Sequence, residues 1–191
     1  MKDFSFDYEN NQEPKEIIES VFLPIIKTKS NDYLYANLKE YNGNIRSYET
    51  VRLNSLSSIM GSNEEREFHD IQDELGELNK LYSTYELFIG SNAYSSYKYR
   101  VMFIRYGKAG YPATVVMAEA ISREIKYPDV LDKSYIYRIK SMQAMKDLIN
   151  EILATNSLHS IMQDAINASI VEKRRNEKQK TEEANAIVDN P

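Results

Sequence analysis

Three runs of alternating side chains stand close together in the second half of the chain: YELFIG from Tyr85, YKYRVMFIRY from Tyr97 and ATVVMAEAIS from Ala113. A period of two is the signature of β-strands, whose successive side chains point to opposite faces. The second and third runs are joined at Gly107–Pro112, which reads as a hairpin connection. SYIYRIK reads as a further strand, ending at Ser141. Upstream, YLYANLKEY and IRSYETVRL flank Asn42-Gly43, a pair that supplies the positive φ angles of a tight turn. Strands are therefore expected at 32–41 and 45–53.

Helical spacing brackets these strands. Pro14 suits a first helical position, and Ile17, Ile18, Val21 and Phe22 follow at helical intervals, with Pro24 expected to end or kink the helix near Phe22. Ser62 and Glu65 form a capping box. Behind them Phe68, Ile71, Leu75, Leu78 and Tyr82 recur every three or four residues, a narrow heptad-like seam among seven acidic residues between Glu64 and Glu77. Ser141 is a plausible N-cap for a helix with Met145, Leu148, Ile149 and Ile152 on one face. After an interruption at Asn156 or Ser157, Leu158, Ile161, Met162, Ala165, Ile166 and Ile170 form a second amphipathic run.

Strands grouped apart from helices point to an α+β fold with antiparallel pairing. The expected architecture is a sheet of about five or six strands with helices on one face and a long C-terminal helix. The expected organisation is a flexible segment at 1–13, a single domain at 14–171, and a charged helical extension or disordered tail at 172–191.

Composition narrows the chemistry. The chain has no cysteine, which excludes disulfides and thiolate metal sites and agrees with a reducing cytoplasm. The first residues carry no apolar run of a signal peptide, and nothing approaches a membrane span, so a cytoplasmic protein is expected. A net charge of -5 argues against nucleic-acid binding by the surface as a whole. His69 and His159 are isolated from any nucleophile–base–acid pattern, so neither a catalytic triad nor a histidine metal site is expected. Glu119 falls on the apolar face of the third run if the strand continues to Ser122, where a raised pKa would suit a general acid; a pairing with Arg100, Arg105 or Arg123 is the plainer role. Glu124-Ile125-Lys126 resembles the end of a nuclease metal motif, but no Pro-Asp precedes it at a suitable distance. No phosphate-cradling glycine motif is present. No catalytic residue, metal or cofactor is assigned.

The segment Tyr94–Tyr111 carries four cations, five tyrosines and no acid. Strict alternation puts Tyr97, Tyr99, Val101, Phe103 and Arg105 on one face, and Lys98, Arg100, Met102, Ile104 and Tyr106 on the other. On that reading the charges are divided and the apolar middle belongs to the core. Lys98, Arg100, Arg105, Lys108 and Tyr111 remain as candidate contacts to an anion or nucleic acid.

Two functions are expected, in order. The first is a non-enzymatic adaptor, inhibitor or regulatory module, bacterial or phage-borne by composition, that meets a protein partner or forms a homodimer through the acidic seam and the C-terminal helix. Within it, spaced carboxylates imitating DNA phosphates are a narrower form. The second is a nucleic-acid-binding module built on the Tyr94–Tyr111 hairpin.

Overall fold

The first helical run is held at its start by Glu13, whose backbone N–H donates to Oε2 of Glu16 at 3.0 Å in a capping box. The computed structural model describes residues 12–43, 45, 81–126 and 135–188, with side chains to Gln179. Helix α1 (Pro14–Ile17) passes through a π-helical turn (Ile18–Phe22) into α2 (Leu23–Lys29). The expected break at Pro24 is thus not an end to the helix. Proline has no N–H to offer the preceding turn, and the wider turn accommodates this: the N–H of Leu23 reaches back five residues to Ile18 O. Ile17, Ile18, Phe22 and Ile26 are fully buried along the run. Asn31 and Asp32 reverse the chain with φ of 49° and 61°. Asn92 Nδ2 holds the turn by donating to Asp32 O at 2.6 Å.

Five strands form one sheet in the order β1-β2-β3-β4-β5, every pair antiparallel: β1 (Leu34–Glu40), β2 (Tyr82–Ser91), β3 (Lys98–Gly107), β4 (Ala113–Met117) and β5 (Ile136–Ile139). With α3 (Glu119–Ser122), α4 (Met142–Ala154) and α5 (Asn156–Val188) the molecule is α+β, with a long C-terminal helix. One core cluster joins residues of every helix to one sheet face, including Phe22, Leu87, Met102, Val115, Leu148 and Leu158. Burying each such side chain contributes about 1.5–3 kcal/mol relative to leaving it exposed. The opposite face carries a smaller cluster of Ile45, Phe103, Val116 and Ile136, flanked by Tyr41 and Tyr135.

Several sequence expectations change here. β1 pairs with β2, in register Leu34↔Ser91 to Glu40↔Tyr85; the strand expected at 45–53 lies outside the described residues apart from Ile45. Among the described residues the positive φ angles fall at Asn31, Asp32 and Gly110 and not at Asn42-Gly43. The seam residues Phe68, Ile71, Leu75 and Leu78, the capping box and His69 also lie outside the described residues. Tyr82, fifth in that seam, opens β2 opposite Gly107 and is 51% exposed. β4 ends at Met117, because Ala118 N–H makes the last sheet contact, to Val101 O, and its own carbonyl then accepts from Ser122 N–H in a helical turn.

Ser141 caps α4 as expected, its side chain accepting from Ala144 N–H. Met145, Leu148, Ile149 and Ile152 are all fully buried. The break between α4 and α5 falls at Thr155.

Candidate functional site

The central strand β3 does not alternate as its sequence suggests. Leu87 pairs with Met102 while the next residue, Phe88, pairs with Arg100, which leaves Val101 as an extra residue in a β-bulge. The Val101 carbonyl is the one that accepts from Ala118 N–H, at 2.9 Å. The bulge reverses the parity of everything after it. Tyr97, Tyr99 and Val101 before it, and Met102, Ile104 and Tyr106 after it, all join the main core. Phe103 instead belongs to the cluster on the opposite face. Lys98, Arg100 and Arg105 share that face, so the cations are gathered on one side of the sheet and not divided between two.

Their neighbours decide what this face can do. Glu86, on the adjacent strand, is only 4% exposed. Its Oε2 accepts from Lys98 Nζ and its Oε1 from Arg100 Nε, each at 2.7 Å. Burial alone would raise the Glu86 pKa. The hydrogen bonds and charges of Lys98 and Arg100 outweigh it and bring the carboxyl below its usual value. The cations also lie over rings: Lys98 Nζ is 4.4 Å from the centroid of Phe88, the Arg100 guanidinium 4.4 Å from Phe103, and that of Arg105 4.9 Å from Tyr82. Tyr35 meets Phe88 edge-on and covers Gly90, where an added Cβ would strike the Tyr35 ring. The result is an interlocked cationic and aromatic layer.

The five candidate contacts of the hairpin are therefore not equivalent. Lys98 and Arg100 are committed to Glu86, and Arg105 is buried at 7% exposure. Tyr111 is half-buried near α1, and burial together with the Glu16 charge pushes its hydroxyl up to about 12. Lys108 is exposed in the β3–β4 turn. The structure does not bring these five residues to one open surface.

Glu119 leaves the core altogether: it opens α3, is half-exposed, and pairs with Arg123 one helical turn later. This is the plainer of its two expected roles. Glu124 does something that E-x-K does not suggest. Its two carboxylate oxygens accept the backbone N–H groups of Asn156 and Ser157, each at 2.8 Å. Thr155 Oγ1 accepts from Leu158 N–H at 3.3 Å, and Thr155 N–H itself donates to Ile152 O at 3.2 Å. All four unsatisfied donors that open a helix thus have acceptors at the start of α5. The Ser157 side chain, together with the Asn156 and Ser157 backbone N–H groups, holds the Glu124 carboxyl below its usual value. His159 Nε2 donates back to Leu153 O at 2.8 Å, a structural tie between α4 and α5.

Helix α5 is anchored at its N-terminal half by Leu158, Met162, Ala165 and Ser169, spaced four, three and four residues apart and all buried. Ser169 Oγ lies 2.6 Å from Ser91 Oγ and donates to Ala165 O, pinning the helix to the end of β2. Beyond that anchor the character changes. Val171 is 64% exposed, and every side chain from Lys173 to Gln179 is exposed. The buried stripe continues into Glu172, Asn176 and Gln179, which are polar. α5 nevertheless runs on to Val188, extending about 25 Å past Val171 at the helical rise per residue.

Comparison with protein-family models, curated proteins and solved structures finds no match for this chain. Among the described residues no helix is long and apolar enough to cross a membrane.

Proposed function

We propose that this is a non-enzymatic interaction protein, an adaptor, inhibitor or regulatory module, that presents α5 as an arm and makes protein contacts through the acidic seam of Phe68, Ile71, Leu75 and Leu78. One observation carries the reading: α5 outruns the fold. A helix contributes to a domain through its buried stripe, and that stripe ends at Ser169. Among the described side chains none from Lys173 to Gln179 is buried, so the use of these turns lies outside the body. The seam is the complementary part of the proposal, since a narrow apolar stripe between charged flanks is suited to pairing with another helix.

Three of the described carboxylates are committed to structural contacts. Both oxygens of Glu86 are occupied by cations, both oxygens of Glu124 cap α5, and Glu119 is paired at the surface. A general acid or base must reach its substrate with a free oxygen.

Light scattering on the eluted full chain and a lysate pull-down test the proposal. The expected result is a dimer or a captured partner, lost in a folded Leu75→Glu/Leu78→Glu variant. A strict monomer that recovers nothing sets the proposal aside.

A further inference from the structure

We infer that the projecting part of α5 is a duplex-DNA-binding arm, with Lys173, Arg174, Arg175 and Lys178 as its phosphate contacts. The inference rests on reading α5 as an interaction arm and adds the class of its partner. The arm differs from the rest of the molecule in charge. The chain carries -5 overall, whereas residues 172–179 carry +2, four cations against Glu172 and Glu177; Arg174, Arg175 and Lys178 follow Val171 by three, four and seven residues and so share its face, while Lys173, four residues past Ser169, lies beside the buried stripe. That face lies opposite the buried stripe and points away from the body. Val171 is itself 64% exposed within it.

The side-chain chemistry distinguishes the partner. Protein interfaces are built on aromatic and aliphatic anchors and are depleted in lysine and glutamate. From Lys173 to Gln179 the arm has no apolar residue and the buried stripe does not continue, so this stretch offers no seam for a partner helix. DNA backbones are instead held by arginine, lysine and amide side chains. Shape agrees with this. A lone α-helix is about 10–12 Å across, and the major groove of B-DNA is about 12 Å wide. A helix clear of the body can lie in that groove without the body meeting the duplex. The major groove of double-stranded RNA is too narrow and deep, which selects DNA. Projection also separates the arm from the acidic residues of the body, leaving Glu172 and Glu177 as its own nearby acids. Lys178 stands about 10 Å along the axis from Val171, beyond a Debye length of about 8 Å at physiological salt.

The test is fluorescence anisotropy of a short labelled DNA duplex with the full chain. Four phosphate contacts give a salt slope of about -3.6, so affinity is expected to fall roughly 150-fold between about 50 and about 200 mM salt. Replacing Lys173, Arg174, Arg175 and Lys178 by glutamine should abolish binding while the melting temperature holds, because all four are exposed. Arg174→Gln/Arg175→Gln alone should halve the salt slope. Lys98→Gln/Lys108→Gln should leave binding unchanged. The inference is overturned if no duplex binds at about 50 mM salt, if the four-residue variant still binds, or if the Lys98/Lys108 variant loses binding. It is equally overturned if a poly-glutamate peptide binds and the duplex does not, which would mean an acidic protein partner. That last outcome leaves the interaction-protein reading standing.

Discussion

Arg100 Nε lies 2.7 Å from Oε1 of Glu86, a carboxylate 4% exposed on the sheet face opposite the helices. The contact exists because the bulge at Val101 keeps Arg100 on the same face as Phe103 while Met102 turns into the main core. Removing the guanidinium leaves a buried carboxylate with Lys98 as its remaining cation on β3. Arg100→Met is expected to cost about 2–3 kcal/mol, and Lys98→Met, at a more exposed position, under about 1 kcal/mol. Urea unfolding of both variants checks this, and equal costs would contradict the ranking.

The same pair sets a pH dependence. The Glu86 pKa is lower folded than the usual 4.5. Its contribution is therefore complete above the unfolded value and is lost as pH falls through the lowered folded one. Glu86→Gln should be less stable than the parent at pH 7, and the gap should close below about pH 4. Urea midpoints across that range provide the measurement; a gap that persists at low pH counts against the ion pair.

Gly90 has a steric requirement of its own. A methyl group there would collide with the Tyr35 ring, which lies across the strand. Gly90→Ala is expected to cost about 1–3 kcal/mol by overpacking. In a Tyr35→Ala background the same change should cost much less. Additive costs in that cycle would show that the ring is not the obstacle.

The start of α5 depends on residues outside the helix. Thr155→Ala should destabilise the protein by about 0.5–2 kcal/mol, the usual loss for an N-cap. Glu124→Gln should accelerate hydrogen exchange at the Asn156 and Ser157 amides more than elsewhere. In the parent this protection should be strong at neutral pH and weaken only as pH falls through the lowered Glu124 pKa, since protonation removes the acceptor charge. Unchanged exchange at those two amides would reject the cap.

Ser91 and Ser169 form a buried polar bridge between sheet and helix. Ser91 Oγ also accepts from the N–H groups of Ala93 and Tyr94, so its loss strands more donors than the loss of Ser169 does. Ser91→Ala is expected to cost about 1–3 kcal/mol and Ser169→Ala about 1 kcal/mol, with coupling of at least about 0.5 kcal/mol in the double variant. Independent effects in chemical denaturation would mean that the bridge does not act as a unit.

The elements that could be read from sequence are those whose signal is local. Ser141 capping α4 and the buried set Met145, Leu148, Ile149 and Ile152 need only their own neighbours to be recognised, and the break expected at Asn156 or Ser157 falls close by, at Thr155. The four strands from 82 to 139 were recognisable by period for the same reason. What could not be read depends on distant partners. The bulge at Val101 is defined by β2 and used by Ala118, and neither is adjacent to it in sequence. Glu124 serves amides 32 and 33 residues away. Strand propensity in AEAIS hid the turn at Ala118, because short apolar runs fit strand and helix alike. The arm of α5 was readable as charged, and its continuation as helix was one of the two forms expected for 172–191.

Val101 has one consequence for how this chain could change length. In most central strands a single-residue deletion is ruinous, because every later side chain swaps faces. Here the deletion of residue 101 would restore plain alternation: Tyr99 inward, Arg100 outward, Met102 inward, Phe103 outward. What would be forfeited is one buried valine and the acceptor for Ala118 N–H. Position 101 is therefore where β3 can differ by one residue between otherwise similar chains and still present the same two faces.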